Sequence, residues 1–220
     1  MGSKSMKQNY IYITSKEWFE ETPLKNPVLS LDHNLEQIYP KFYNIEYDLK
    51  ILATKPATAE EKECPGYNDY REKYGKLDIS AIDIAVSSNT SKNVFLNGFN
   101  QKQFEYIAPL IKETAEILCL FKCPKINDLS LLSTFKNLRC VHIYWNNSLE
   151  NLWDMKDNSA LMALSFVYVT KLSNVEALAN THIEYINLDS SDNSGKNKKL
   201  DVDKSVFEKM KTLKHLFLTI

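Results

Sequence analysis

The sequence has little glycine, almost no net charge and no long apolar run, and each of these absences excludes a class of protein. Five glycines in 220 residues leave no glycine-rich loop of the kind that cradles phosphates. A formal net charge of -1 is unlike the basic character of a nucleic-acid-binding domain. No apolar stretch approaches the roughly 20 residues that cross a membrane. We therefore expect neither a nucleic-acid partner nor a membrane span.

The chain is also poor in cysteine chemistry. Its four cysteines, Cys64, Cys119, Cys123 and Cys140, form no closely spaced metal-binding pair and no dense disulfide framework. We interpret them as reduced thiols and expect no cofactor and no bound metal. No continuous apolar signal core follows Met6, because Lys16, Glu17 and Glu20 come early, so we expect a cytoplasmic location. Secretion is the alternative, because residues 1–5 resemble a cloning remnant that could have replaced a signal peptide.

What the chain does have is a repeated apolar pattern in its second half. Five segments place apolar residues at their first, fourth and sixth positions; they begin at Ala115, Leu138, Leu161, Ile183 and Leu213. Successive starts are 23, 23, 22 and 30 residues apart. The fourth and sixth positions form two columns, which read Leu118, Val141, Leu164, Ile186, Leu216 and Leu120, Ile143, Phe166, Leu188, Leu218. One such unit cannot bury its apolar face alone, so the pattern predicts stacked units that share one core.

These segments resemble the leucine-rich repeat family, in its short class of about 22 residues, and are similar to bacterial internalin-type repeats. The resemblance covers residues 79–220 and is clearest from residue 115. It implies an α/β fold: a solenoid whose parallel strands form an arc, joined by 3₁₀ or short-helix return segments. In the family the ninth position holds Asn or Cys, which hydrogen-bonds the turn backbone. Here that position is occupied by Cys123, Asn146, Val169 and Ser191.

Residues 6–78 lack this pattern, and we predict that they form an α+β cap at the end of the repeats. Strict alternation over 43–51 and a shorter apolar stretch at 10–14 predict strands. The three-residue spacing of Tyr67 and Tyr70 suggests a short helix before Gly75. The stretch 79–84 matches the repeat spacing and is a candidate for a divergent first repeat, followed by an amphipathic segment.

Side chains alternate along a strand, so residues between the core columns should line the concave face of the arc. The candidate binding residues on that face are Phe121, His142, Tyr144, Trp145, Tyr168, Tyr185, Asp189, His215 and Phe217. Aromatic side chains dominate interface hot spots, so we predict a non-catalytic scaffold that binds a protein or a peptide there. The alternative is that these residues only pack along the sheet.

Two other functions stay open from the sequence. Cys119 and His142 should occupy equivalent places on adjacent strands about 4.8 Å apart, which would suit a thiol–imidazole enzyme site. Cys140 lies near enough to raise the question of a metal. No orienting residue or oxyanion donor can be named for such an enzyme, so we assign no catalytic residue. The third hypothesis is a structural, self-associating protein, because the last repeat has no cap after it.

Overall fold

The computed structural model describes residues 9–11, 49–52, 83, 86, 90–190 and 200–218. The protein is built on one eight-stranded, all-parallel sheet whose strands follow one another in sequence order. The strands are β1 (Asn9–Ile11), β2 (Leu49–Leu52), β3 (Asn93–Asn97), β4 (Ile117–Phe121), β5 (Cys140–Asn146), β6 (Ala163–Val169), β7 (Tyr185–Asp189) and β8 (His215–Leu218). The connections include the helices α1 (Gln101–Ile111) and α2 (Ser205–Glu208), and 3₁₀ turns at Ser130–Thr134 and Glu176–Leu178. This is an α/β arrangement, as the sequence predicted.

The predicted core columns lie side by side. The strand register pairs Leu118 with Val141, Val141 with Leu164, and Leu164 with Ile186. All four side chains are at most 2% exposed. Full burial of an aliphatic side chain of this size contributes about 1.5–3 kcal/mol to stability, so the columns supply the main cohesion between neighbouring strands.

The unit before β4 begins later in the chain than the sequence suggested. Asp83, inside the candidate first repeat at 79–84, is helical. The neighbour of β4 is instead β3, whose Val94 and Leu96 continue the two core columns. The first position of that unit is held by Ser91, a polar residue that is nevertheless buried. Because the first apolar residue of the pattern is missing there, the repeat spacing did not predict this unit.

Two short strands from the N-terminal segment extend the same sheet. β1 pairs with β2 and β2 with β3, both in parallel. Leu49 and Ile51 of β2 are fully buried, as the alternation over 43–51 predicted. The rest of the predicted strands and the tyrosine-rich helix lie outside the described residues.

Local sequence explains how the connections form. The first helix, α1, begins with a capping box in which Asn100 Oδ1 accepts from the Gln103 amide at 3.0 Å and Gln103 Oε1 accepts from the Asn100 amide at 2.9 Å. Its buried face contains Phe104 and Ile107 at helical spacing. Among the described helices, none is long and apolar enough to cross a membrane.

A buried asparagine, Asn158, which the sequence analysis did not single out, connects two return segments. Asn158 Nδ2 donates to the carbonyls of Leu132 and Phe135, both at 2.8 Å. Its Oδ1 accepts from Trp153 Nε1 at 2.8 Å. All three contacts lie in the core, where an unpaired polar group would cost about 1–3 kcal/mol. Asn158 therefore joins two successive return segments.

Candidate functional site

The face of the sheet opposite the apolar columns, here called the second face, is aligned as predicted. Cys119 is in register with His142, and His142 with Ser165. One place further along, Phe121 is in register with Tyr144. The same two rows continue through β7, where they are occupied by Asn187 and Asp189. Four of the predicted candidates, Phe121, His142, Tyr144 and Asp189, therefore lie in these two adjacent rows.

Burial corrects the expectation that this face is an exposed wall. Phe121, His142 and Tyr144 are only 3%, 3% and 8% exposed, whereas Trp145 is 46% exposed. Aromatic side chains in neighbouring rows cover one another's faces. These three residues therefore serve packing in the protein described here, and Trp145 at the end of β5 is the accessible one.

The remaining candidates lie between these extremes. Tyr168, Tyr185, Asp189 and Phe217 are half-buried, and His215 is exposed. The Tyr185 and His215 rings stack in nearly parallel planes, with centroids 5.0 Å apart. Tyr185 and His215 form a separate small pair on β7 and β8.

Four aromatic rings in successive contact, which we call the aromatic ladder, cross β3 to β6: Phe95, Phe121, Tyr144 and Tyr168. Successive centroids are 5.6, 4.9 and 5.2 Å apart. The first two contacts are stacked and the last is edge-to-face, which are the geometries that aromatic quadrupoles favour. Burial, with a smaller effect of Tyr168, raises the pKa of Tyr144 to about 12, so its hydroxyl stays protonated.

A column of residues with left-handed backbone runs beside the aromatic ladder. Gly98, Lys122, Trp145 and Tyr168 have φ of 72°, 49°, 62° and 56°. We call them the left-handed column; each follows the residue that ends the continuous register of its strand. Glycine enters this region freely, but other residues pay roughly 1–2 kcal/mol. The register between β5 and β6 skips Trp145 and Tyr168 and resumes at Asn146. This bend exposes Trp145 between two buried neighbours.

Asn146 fixes the backbone directly after Trp145. Its Nδ2 donates to the carbonyls of Cys123 and Ile126 at 2.9 and 2.7 Å. Its Oδ1 accepts from the amides of Ser148 and Leu149, both at 2.8 Å. The ninth-position role that the sequence predicted is confirmed at this residue, which is 1% exposed.

The other ninth positions differ in what they can bond. Cys123 Sγ donates to the carbonyls of Phe121 at 3.4 Å and Leu96 at 3.6 Å, and burial raises its pKa to about 12. Val169 is buried and has no polar side-chain atom. Ser191 lies outside the described residues.

Lys122 brings a positive charge to the exposed tryptophan. Its Nζ lies 5.5 Å from the centroid of the Phe121 ring and 5.7 Å from that of Trp145. Cations at this distance are attracted by the electron-rich ring face. Sequence reasoning missed Lys122, because a single lysine after a strand has no periodic signal. Gly98, one unit earlier, was the available hint that this place in the repeat has positive φ.

The predicted neighbours Cys119 and His142 are in register on adjacent strands. Both are buried, and neither ring nitrogen of His142 has a hydrogen-bond partner. Burial alone lowers the pKa of His142 to about 3, so the ring is neutral near pH 7 and is a weak base. Burial also raises the pKa of Cys140 to about 12. Within the described ranges no group of three or more His, Cys, Asp or Glu residues could hold a metal ion.

The chain was compared with protein-family models, curated proteins and solved structures, and no significant match was found. The function must therefore be inferred from the site itself. Its distinguishing features are the exposed Trp145, the left-handed column and the aromatic ladder behind them.

Proposed function

We propose that this protein is a non-catalytic scaffold that binds a protein or a peptide. Its architecture is that of a leucine-rich repeat solenoid, with residues 6–78 as an N-terminal cap. Three features support this architecture: strands in sequence order in a parallel sheet, core columns in register, and the Asn146 hydrogen bonds at the ninth position. Units that contact only their neighbours form a long edge, which suits recognition of an extended partner.

The observation that carries the binding function is Trp145. It is the most exposed large hydrophobic residue that the structure describes, at 46%, and it lies beside Tyr144, which is almost fully buried. Its φ of 62° costs the folded state free energy that a glycine would avoid. Backbone strain of this kind is concentrated at functional sites. Tryptophan is also a residue type that dominates interface hot spots.

The proposal is tested by comparing capture by three forms of the intact chain. The wild type, Trp145→Ala and Leu110→Ala are immobilised, and captured proteins are identified by mass spectrometry. Leu110 is the matched control, because it is 42% exposed on helix α1, away from the proposed site. We expect Trp145→Ala to lower the affinity for a captured partner about tenfold or more, and Leu110→Ala to leave it unchanged.

Thermal unfolding of each form establishes that the fold is intact before affinities are compared. Equal affinity of the wild type and Trp145→Ala for a purified partner would contradict the proposed function. Equal losses of affinity in both variants would indicate non-specific hydrophobic binding rather than a site around Trp145.

Self-association is the second candidate, and one observation favours it. Leu216 of β8 is 42% exposed, although its equivalents Val141 and Ile186 in the same core column are fully buried. An exposed column residue next to a strand edge suits pairing with a second copy. Light scattering over a range of concentrations tests this, since Leu216→Asp should keep the protein at lower mass if β8 forms the contact. Identical concentration dependence for both proteins would exclude that contact.

A further inference from the structure

We propose that the partner presents an acidic polypeptide segment, which binds along the carboxyl edge of the sheet; this inference rests on the proposed function. The carboxyl edge consists of the segments that follow β4, β5 and β6: residues 122–127, 145–149 and 168–175. These segments contain no Asp or Glu. They do contain three lysines, Lys122, Lys125 and Lys171. The first acidic residues, Asp128, Glu150 and Glu176, follow directly after the three segments.

Two of the three lysines occupy the same place in the repeat. Lys125, Ser148 and Lys171 are 23 residues apart and occupy the same place in three successive units. Lys125 and Lys171 are both exposed. Adjacent strands are about 4.8 Å apart, so these two lysines start from backbone positions about 10 Å apart, on either side of the unit that holds Trp145. One extended chain can reach both and cross Trp145 between them.

Within the described residues these charges have no ion-pair partner, in contrast to those at the opposite, amino edge. None of the three lysines forms an ion pair with another residue in the part of the chain that the structure describes. At the amino edge, where the strands begin, Lys92 Nζ lies 2.6 Å from Glu116 Oε1, and Lys214 Nζ lies 2.9 Å from Glu184 Oε2. These two lysines therefore have carboxylate partners, whereas the three lysines of the carboxyl edge have none among the described residues.

The chemistry of the edge defines the partner. Carboxylates complement Lys125 and Lys171, and an apolar or aromatic side chain complements the face of Trp145. Lys122, with its Nζ 5.7 Å from the Trp145 ring centroid, favours an acidic residue directly beside that apolar side chain. Thr170 and Asn147, whose side chains are 3.4 Å apart, offer polar contacts between the charges. A nucleic acid is less suited, because its affinity comes from many neutralised phosphates and this edge has three lysines in a chain of net charge -1.

The test selects peptides from a random display library on the intact chain and measures the enriched sequences as synthetic peptides by fluorescence anisotropy. We expect Asp and Glu to be enriched next to an aromatic residue, and affinity to fall as salt is raised. Lys125→Glu and Lys171→Glu should each weaken binding roughly three- to tenfold. Lys136→Glu, an exposed lysine after the turn Ser130–Thr134, is the matched control and should have no effect.

The outcomes separate this inference from the proposed function. Enriched peptides without acidic residues that still depend on Trp145 would overturn the acidic partner and leave the binding function standing. No enrichment above background would overturn both. A single-stranded oligonucleotide that binds, displaces the peptides and is lost in Lys125→Glu would overturn the polypeptide partner in favour of a nucleic acid.

Discussion

The amino and carboxyl ends of the strands, here the amino edge and the carboxyl edge of the sheet, differ in how their charges are paired and in their backbone conformation. At the amino edge, the Glu116 carboxylate pairs with a cation of each neighbouring unit: its Oε1 lies 2.6 Å from Lys92 Nζ and its Oε2 lies 3.6 Å from Arg139 Nη1. At the carboxyl edge, Lys122 and Trp145 have left-handed backbone, and the lysines have no ion pair with a described residue. Backbone strain lowers stability and is concentrated at functional sites, and for this reason we propose the carboxyl edge as the site of recognition.

The largest effect should come from removing the side chain that holds the carboxyl edge in place. Asn146→Ala leaves two carbonyls and two amides of the turn without their partner, including the carbonyl of Cys123. Buried unpaired groups cost about 1–3 kcal/mol each, partly recovered by water and relaxation, so we expect a loss of about 3 kcal/mol. Urea unfolding measures it. The exposed Asn147→Ala is the control. An equal, small loss of unfolding free energy in both variants would show that the turn is stable without the Asn146 side chain.

A second effect concerns the row between the edges and depends on pH. His142 has a pKa of about 3 when folded because it is buried, against an ordinary value of 6.5. The unfolded chain therefore binds the extra proton first, and stability falls as pH drops below 6.5 toward 3. The expected loss at pH 5 is about 2 kcal/mol, from about 1.4 kcal/mol per pH unit.

The substitution His142→Phe removes this titration while keeping a ring beside the aromatic ladder. The difference in unfolding free energy between pH 7 and pH 5 should shrink in that variant. His182→Gln, an exposed histidine in another part of the chain, should leave the difference as in the wild type. If His142→Phe retains the whole acid loss, His142 is accessible to protons in the folded protein.

Backbone strain at the carboxyl edge can be measured by itself. Because Trp145 has a φ of 62°, Trp145→Gly should be more stable than Trp145→Ala by about 1 kcal/mol. At Lys136, which is not among the described residues with positive φ, the alanine variant should be the more stable one. Both Trp145 variants should lose partner binding equally. The same Gly–Ala order at the two positions would mean that the left-handed column carries no strain.

The sequence was sufficient for the parts of the fold that periodic burial controls. Apolar residues every 22 or 23 positions fixed which strands are neighbours and in what register, as Leu118, Val141 and Leu164 illustrate. The same search missed β3, because Ser91 replaces the first apolar residue of that unit. A pattern of this kind follows the cohesive columns and fails where one member is polar.

The site was only partly predictable, for a different reason. Alternation states on which face a side chain lies, but not what covers it. Tyr144 and His142 were therefore expected to be accessible and are buried, whereas Trp145 is exposed. The left-handed backbone of Lys122 and Trp145 was not foreseen, since neither residue type indicates positive φ and only Gly98 marks that place in the repeat.

The smallest effect should come from the amino edge, where charges are paired but close to water. The side-chain hydrogen bond from Lys92, and then the charge of Arg139, lower the pKa of Glu116. Its contribution is therefore present above its ordinary pKa and is lost as pH falls through the lowered value. Lys92 is 65% exposed, so screening limits the loss in Glu116→Gln to less than about 1 kcal/mol at pH 7, and less still in high salt.

Partner binding provides the sharper result of that substitution. If recognition belongs to the carboxyl edge, Glu116→Gln should leave partner affinity and its salt dependence unchanged, while Lys171→Glu alters both. Anisotropy titrations of one enriched peptide against the two variants make this comparison directly. A loss of affinity in Glu116→Gln comparable to that in Lys171→Glu would mean that binding depends on charges at both edges of the sheet. The difference between the edges would then concern stability and not recognition.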